Sequence, residues 1–274
     1  MNKTDTHADS VDLAQATGRY DEAPVPPALR EVFACRWIHR MPAHDAAPVL
    51  VVPDGCMDLQ FIDGGRLRVA GPDREPQTEV LRAGSVVVGY RFRPGAAAAW
   101  LGVPAHVLLN RRVALDDLWG NARASRFAVN DLAALEQRLA AHRPHTFRID
   151  ASMNEAFHLL RGADAPPGVP LVRWLSNRLS LCERTLRRRF SDHFGYGPKT
   201  LDRILRYQHF LRLVRGRPSA SMAAWAAEAG YADQPHLVRE SRRLARRTPG
   251  DVMAAMRARL GIHHEELPPG RRTW

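Results

Sequence analysis

The stretch Cys182–Phe190, CERTLRRRF, carries four arginines in nine residues and decides how the last third of the chain folds. Its two apolar residues, Leu186 and Phe190, are four positions apart, so they share one face of an α-helix. Arginines this close together repel one another in the free protein. A helix that fixes an apolar pair in a core and turns its cations outward is typical of a surface that binds a polyanion.

The arginines of this predicted helix point in two directions. Arg184, Arg187 and Arg188 follow the i, i+3, i+4 spacing and share one face. A guanidinium group can bond bidentately to O6 and N7 of guanine, so this face is expected to read base edges in DNA. Arg189 projects to one side and is expected to contact a phosphate. The alternative is a solvated basic face without a partner.

The excess of positive charge is confined to one part of the chain. The 274 residues include 40 Lys and Arg against 29 Asp and Glu. Residues 169–259 hold 19 of the basic and 7 of the acidic residues, so the rest of the chain is close to neutral. A general preference for arginine would enrich the whole chain. The localised excess therefore favours nucleic acid as the partner over a solvated face.

Composition and motifs argue against several other classes of protein. A hydrophobic content of 45% is enough for a core, and 274 residues favour two domains. The beginning of the chain is polar, no apolar run of about 18 residues occurs, and the three cysteines form no C-x-x-C pair. We expect a cytoplasmic protein with no membrane segment, no metal site and no cofactor. No known catalytic motif occurs, so we do not expect an enzyme.

Two periodicities divide the chain and predict an α+β fold class. Short apolar runs from Leu29 to Trp119 predict strands and turns of a β-rich, barrel-like domain; they are PVLVVPDG, CMDLQFIDGG, RLRVAGP and GSVVVGYRFRPG. After Asn130 the apolar residues recur at helical spacing, which predicts an all-α domain.

Breaks in composition suggest the domain boundaries. The polar start ends in APVPP, and GADAPPG interrupts the helical part. We expect a disordered arm over 1–27, a β-rich regulatory domain over 28–130, connecting helices and a linker over 131–168, a DNA-binding domain over 169–259 and a flexible tail over 260–274.

The helical part repeats itself after 51 residues. With this shift Leu186 falls on Leu237, and Arg188 falls on Arg239. Each copy predicts a short helix, a tight turn, a second helix, and then a proline that opens another helix. One helix that braces the backbone and a second that enters the major groove form a helix–turn–helix, so the chain is expected to carry two.

Residues from Val169 to about Met256 resemble the DNA-binding domain of the AraC/XylS family of bacterial transcription regulators. The resemblance lies in CERTLRRRFSDHFGYGPKTLDRILRYQHFLRLV and AAEAGYADQPHLVRESRRLARRTPGDV. It implies two helix–turn–helix subdomains joined by one helix, here about Thr200 to Val214. It also places the base-reading residues of the first motif on the three arginines that share a face. The DNA contacts expected from the second recognition helix are Gln234, Pro235, Val238, Arg239 and Arg242.

Three positions depart from the family pattern. Cys182 stands where the first recognition helix usually has a Ser cap, and Ser176 stands where the bracing helix usually has Ala. Ser241 stands where the second recognition helix usually has Phe, which removes an aromatic ring from its core face. Upstream of the recognition helices the shift of the repeat becomes 50 residues, which places Leu175 on Trp225. We expect Trp225, which is larger than Leu175, to fill that space.

The N-terminal part resembles, more loosely, the sensor domains of a subset of the same family, through VVPDGCMDL, VGYRFRPGAAAAWLGVPAHVL and VALDDLWG. This resemblance implies no particular ligand. Arg91 and Arg93 could hold an anionic effector or lie on a solvated strand edge, and we favour the edge. Cys56 beside Asp58 could be a reactive sensor thiol, although inert packing is the more common role of a half-buried cysteine.

The function predicted from the sequence is a one-component transcription regulator. It would bind double-stranded DNA in a sequence-specific way and read two consecutive major-groove segments, and it would respond to a small-molecule effector. RNA polymerase is a partner if the protein is an activator, and a homodimer is left open. The alternatives are a DNA-binding protein with a thiol-based enzyme or alkyl-transfer domain, and a nonspecific nucleoid binder.

Overall fold

The computed structural model describes residues 12–13, 18–44, 48–63, 65–142, 147–166, 168–216 and 220–260. Strands occupy the N-terminal part and helices follow, so the predicted α+β class is confirmed. The last strand ends at Ala114, ahead of the change in apolar periodicity after Asn130.

The N-terminal domain consists of two sheets. A six-stranded antiparallel sheet has the order β2-β3-β8-β5-β6-β9, and a second sheet has the order β1-β4-β7. The larger sheet ends at the edges β2 and β9, so the domain is open where a closed barrel would have no edge. The strands are β1 (Asp12–Leu13), β2 (Arg19–Ala23), β3 (Phe33–Arg40), β4 (Pro48–Val51), β5 (Asp58–Ile62), β6 (Arg66–Ala70), β7 (Gln77–Val80), β8 (Val86–Phe92) and β9 (Arg112–Ala114).

The expected disordered arm over 1–27 is wrong for its last part. Strand β2 pairs along its whole length with β3, with Tyr20 opposite His39. Beyond it, the side chains of Val25 and Leu29 are buried in the N-terminal core. The sequence RYDEA conceals this strand because its charged residues lie at a sheet edge, where they remain partly exposed.

Helices begin near residue 97 and dominate from residue 132. Short 3-10 turns at residues 27–29, 105–108 and 125–127 complete the N-terminal domain. The α-helices are α1 (Ala97–Leu101), α2 (Leu115–Trp119), α3 (Asn121–Ala124), α4 (Leu132–Ala141), α5 (Ala151–Gly162), α6 (Leu171–Arg178), α7 (Glu183–Phe194), α8 (Pro198–Gly216), α9 (Met222–Glu228), α10 (Gln234–Ala245) and α11 (Pro249–Leu260).

The helical domain has the predicted repeat. Helices α6 and α7 form one helix–turn–helix, helices α9 and α10 form the second, and α8 joins them. The recognition helices begin at Glu183 and Gln234, and the helices after them begin at Pro198 and Pro249, which gives a spacing of 51 residues at both points. Proline is favoured in the first turn of a helix because the N–H that it lacks has no partner there.

Two hydrophobic cores divide the molecule, and their boundary falls inside the expected connector of residues 131–168. Leu135 and Leu139 of α4 are buried in the core of the two sheets. Met153 and Phe157 of α5 are buried in the core of the two helix–turn–helix motifs. Helix α5 is therefore part of the helical domain, because its apolar face packs against α7 and α8.

Ser241 lies in the second core without an unsatisfied hydroxyl group. Its side chain is 0% exposed, and its Oγ donates to the carbonyl oxygen of Arg247 at 2.8 Å. The same Oγ lies 3.0 Å from the hydroxyl of Tyr207 on α8. Trp225 is also buried, as expected. The expectation about Ser241 nevertheless missed Tyr207, which supplies both an aromatic ring and a hydrogen-bond partner at this position.

Candidate nucleic-acid interface

Helix α7 has the two faces that its sequence predicts. Leu186 and Phe190 are fully buried in the helical core, which fixes the orientation of the helix. Arg184, Arg187 and Arg188 are exposed to solvent on another face. The structure therefore brings these three arginines together on one accessible surface.

One ion pair lies within this surface. Arg187 Nη2 is 3.2 Å from Glu183 Oε2, one helical turn earlier, and both side chains are more than half exposed. An exposed pair of this kind contributes little stability because water and salt screen it. Arg187 can therefore exchange Glu183 for a nucleic-acid partner at small cost.

The two recognition helices differ at their N-termini. Asp233 precedes α10, and its carboxylate accepts from the N–H of His236 at 2.6 Å. Cys182 holds the same place before α7 and makes no side-chain cap to the helix backbone. Its thiol instead donates to the Thr185 hydroxyl at 3.2 Å. The departure from the family's Ser thus leaves the first recognition helix without a capping oxygen.

Helix α10 presents a second exposed surface. Leu237 and Leu244 are fully buried on its core face. The residues predicted to contact DNA lie outside that face; Gln234, Pro235, Arg239 and Arg242 are exposed and Val238 is half-buried. Arg243 is exposed as well and was missed, because nothing in the sequence separates it from its neighbour Arg242.

An ion pair ties the second recognition helix to α8. Arg203 Nε lies 3.2 Å from Glu240 Oε2, and both side chains are mostly buried. Burial and the nearby Arg243 lower the pKa of Arg203, while Glu240 acts in the opposite sense. Because α8 also carries the first motif, this contact helps to fix the angle between the two recognition helices.

Arg189 does not lie on the accessible arginine surface. Its Nε donates to Asp150 Oδ2 at 2.9 Å, and His193 Nε2 lies 3.1 Å from the same oxygen. Asp150 also caps α5 by accepting from the N–H of Met153 at 3.1 Å. Arg189 was expected to contact a phosphate, but in the structure its guanidinium joins α7 to the start of α5. These partners are 39 residues apart in sequence, so the spacing within α7 could not reveal them.

The contacts of Asp150 perturb its acidity. Burial alone would raise the pKa of this carboxyl group. Hydrogen bonds from His193, Arg189 and the Met153 N–H outweigh burial and hold the pKa well below its ordinary value. The ionised carboxylate is therefore the form that the folded protein favours.

This shift predicts a loss of stability in acid. A carboxyl group with a lowered folded-state pKa stabilises the protein above its unfolded-state pKa of about 3.9 and loses that effect as the pH falls through the folded value. Asp150→Asn keeps a capping side chain but not the charge. We expect its deficit in the free energy of unfolding, measured in urea, to be full at pH 7 and to shrink below about pH 4. The exposed Asp117→Asn is the control; an equal deficit for Asp150→Asn at every pH would contradict the assignment.

A cavity of about 130 Å³ lies in the N-terminal domain. Residues of both sheets line it, and α8 closes one side with Gln208, Leu211 and Arg215. The side-chain amide of Gln208 donates to the carbonyl oxygen of Pro53 at 2.7 Å, which fixes α8 to the loop after β4. The long helix that joins the two recognition motifs is therefore also a wall of this cavity.

Arg91 lines this cavity, and its environment matches neither of the two expected roles. Its guanidinium lies 2.8 Å from Asp54 Oδ2 and 3.3 Å from Asp58 Oδ1. It is therefore not on a solvated edge, and its charge is already matched by carboxylates. Arg93 is exposed, and its Nε donates to the carbonyl oxygen of Arg30.

Cys56 has the environment of an inert thiol. Burial, followed by the neighbouring Asp54 carboxylate, raises the pKa of this thiol well above its ordinary value. A thiolate is the reactive form of cysteine, so the site does not favour nucleophilic or alkyl-transfer chemistry. Within the described ranges, no group of His, Cys, Asp and Glu has the arrangement of a metal site. No helix in the same ranges has the length and apolar character needed to cross a membrane.

Comparison with known families agrees with the division of the chain into a β-rich N-terminal domain and a helical C-terminal domain. Residues 21–114 match the family described as domain of unknown function (DUF6597), and residues 175–255 match the helix-turn-helix domain family. No curated protein matches the chain. One crystal structure of ToxT from Vibrio cholerae is similar at 11% identity with a TM-score of 0.45, over 80% of this chain and 96% of that one. An unsaturated fatty acid-bound form of ToxT has 9% identity and a TM-score of 0.46, over 85% and 98% of the two chains.

A second similar structure is the transcriptional regulator CdpR from Pseudomonas aeruginosa, with 19% identity and a TM-score of 0.33 over 64% of this chain and 47% of that one. The predicted resemblance to AraC/XylS regulators is confirmed by the matched domains and by the two motifs joined through α8. The chain therefore combines a DUF6597 domain with a helix–turn–helix domain of the AraC type, the DNA-binding domain of transcription regulators.

Proposed function

We propose that the protein recognises a specific duplex site by placing α7 and α10 in two consecutive segments of the major groove. The observation that carries this proposal is the equivalence of the two helices. Arg188 and Arg239 occupy the same place in the 51-residue repeat. Both are exposed, and each lies two positions after a buried leucine. In a duplex, segments that face the same side recur about 34 Å apart, so α8 would act as the spacer.

The exposed residues suggest how each segment is read. Arg184, Arg187 and Arg188 have the donors to read guanine, and Gln234 can bond bidentately to adenine. Val238, which is half-buried, can contact a thymine methyl group. Arg189 is left out of this surface because Asp150 holds its guanidinium.

Exposed arginines near the base-reading positions would contact the DNA backbone. Arg242 and Arg243 lie one turn beyond Arg239 on α10 and would supply phosphate contacts. Such contacts position the protein on the duplex and contribute much of the affinity, whereas the base contacts select the sequence.

We also propose that the regulator responds to a small molecule bound in the N-terminal domain. The support is the cavity whose wall includes Leu211 of α8. A ligand there would contact the same helix that sets the distance and angle between the recognition motifs. A ligand that prefers one position of α8 would shift DNA affinity by its difference in affinity for the two positions.

Salt dependence tests DNA binding directly. If 5–9 phosphates are neutralised, the logarithm of the binding constant should fall with the logarithm of salt concentration with a slope of about −4 to −8. Fluorescence anisotropy of a labelled duplex at several salt concentrations measures this slope. Competition by unlabelled random DNA is the control, because a nonspecific nucleoid binder would be displaced equally well by random and specific duplexes. A slope near zero would rule out the proposed interface.

A further inference from the structure

We propose that the cavity between the two sheets binds an uncharged, flat molecule of about one aromatic ring that carries a hydrogen-bond acceptor. This inference rests on the effector response proposed above and names the chemical class of the effector. It follows from the charges, the aromatic surface, an unpaired donor and the volume of the cavity.

The charges that the two sheets bring to the cavity wall are already matched. Arg91 pairs with Asp54 and Asp58, as described above. Arg112 lies 2.7 Å from both Asp73 and Glu79. Arg68, whose guanidinium also pairs with the same glutamate, donates through Nε to Gln60 Oε1 at 2.7 Å.

Each carboxylate that lines the cavity therefore has an arginine partner. A charged ligand between the sheets would have to separate one of these pairs and leave a charge uncompensated, which is costly away from water. An uncharged ligand disturbs none of them. The remaining charged residue of the wall, Arg215 of α8, is exposed to solvent.

One side of the cavity is a flat aromatic surface. The indole of Trp37 covers Gly89 on the next strand so closely that a Cβ atom on Gly89 would lie 2.0 Å from the ring. Glycine at this position is what allows the ring to lie flat on the sheet. Tyr20 stacks on Trp37 with ring centroids 5.8 Å apart and an angle of 28° between the planes. Surfaces of this kind favour flat ligands that stack with an offset.

The same indole holds a buried donor without a hydrogen-bond partner of normal geometry. Trp37 is 8% exposed, and its Nε1 makes no hydrogen bond of normal geometry with any described residue. The indole N–H acts on the nearby Asp58 carboxyl group and helps to lower the pKa of that group, but the carboxylate forms its ion pair with Arg91. A buried indole N–H usually finds a partner, so an acceptor atom on the ligand would complete this site.

The volume limits the size of the ligand. A cavity of about 150 Å³ is enough for benzene, and this one is about 130 Å³ with an opening to solvent. The site therefore fits one ring with a short substituent. Leu211 of α8 forms part of the wall and is nearly fully buried, so an occupant would contact the helix that links the two recognition motifs.

Calorimetric titration of the full chain with four probes of similar size tests this assignment. Acetophenone is flat, uncharged and carries an acceptor, and each other probe removes one of these properties. Ethylbenzene has no acceptor, benzoate is charged, and cyclohexyl methyl ketone is not flat. We expect acetophenone to bind with a Kd on the order of 0.1–1 mM, as for a small ligand of nine heavy atoms. The other three should bind at least about fivefold more weakly.

Two variants test the role of the donor. Trp37→Phe keeps a flat ring but removes the N–H, so acetophenone should bind about fivefold more weakly and ethylbenzene within about twofold of the wild type. Trp100→Phe is the control, because Trp100 also has a buried Nε1 without a hydrogen-bond partner but does not line the cavity. Circular dichroism checks that both variants fold. The comparison of probes on the wild-type protein needs neither variant.

The outcomes separate this inference from the proposed function. Tighter binding of benzoate than of acetophenone would overturn the uncharged class. Failure of all four probes, with specific DNA binding intact, would overturn the inference and leave DNA recognition standing. Binding of acetophenone without any specific DNA binding would support the inference and overturn the proposed DNA recognition.

Discussion

Replacing Arg187 and Arg188 together by alanine is expected to lower affinity for the specific site by about 30-fold to 10⁴-fold. Each bidentate arginine–guanine contact is worth about 1–3 kcal/mol, and both side chains are exposed on the accessible face of α7. Affinity for random DNA should fall much less, because only shared phosphate attraction is lost there. Anisotropy titrations of the specific and the random duplex, at one salt concentration, measure both effects.

A matched pair of substitutions controls for charge. Arg82→Ala with Arg138→Ala removes the same charge from exposed positions of the N-terminal domain. This control should change specific binding by less than about threefold, because exposed charges farther than a Debye length from the DNA are screened. Equal losses on specific and random DNA for the α7 variant would show that this face contacts phosphates and reads no bases.

Ser241→Phe, which restores the residue usual in the family, is expected to destabilise the protein by about 2–6 kcal/mol. Overpacking a filled core costs about 1–3 kcal/mol, and a buried hydroxyl left without its partner costs a similar amount. The substitution does both, because Ser241 is fully buried and Tyr207 bonds to its hydroxyl. Urea unfolding of the wild type and the variant gives the difference in the free energy of unfolding.

Two smaller substitutions separate these effects. Ser241→Ala removes the hydrogen bonds without adding volume and should cost about 1–3 kcal/mol. Tyr207→Phe leaves the Ser241 hydroxyl its bond to the Arg247 carbonyl and should cost less than Ser241→Ala. A higher melting temperature for Ser241→Phe than for the wild type would mean that the second motif has an unfilled space, contrary to the structure.

The N-terminal domain contacts the two recognition motifs unequally. It reaches α7 through His106 Nδ1, which lies 3.6 Å from Asp192 Oδ1, and Pro72 lies close to Gly195 at the end of that helix. The second motif is tied instead to α8 through Arg203 and the mostly buried Glu240. The N-terminal domain therefore touches the first recognition helix itself, whereas the second is held by α8.

The helical domain was largely predictable because its signals are local. The apolar spacing of Leu186 and Phe190, the prolines that open α8 and α11, and the 51-residue repeat all lie within short stretches. The accessible face of α7 follows from the same spacing. A helix turns by a constant angle per residue, so the residues that share its face can be read without a structure.

Other features depend on contacts between distant residues. Strand β3, FACRWIHR, was missed because its apolar residues do not alternate with polar ones. Trp37 and His39 line the cavity, and Ile38 on the other face packs against the N-terminal core. The ion pair of Arg189 with Asp150 joins two helices, and the bond of Ser241 with Tyr207 spans 34 residues. The cavity is formed by strands of both sheets together with α8, so no single stretch of sequence contains it.

Hydroxyl-radical footprinting of the specific duplex tests the central claim most directly, because it shows where each recognition helix lies. We predict two protected segments on one face of the duplex, about 10 base pairs apart. Arg188→Ala should weaken protection of one segment, and Arg239→Ala, its counterpart in the repeat, should weaken the other. A single protected segment, or two segments weakened equally by both substitutions, would contradict the reading of consecutive major-groove segments by α7 and α10.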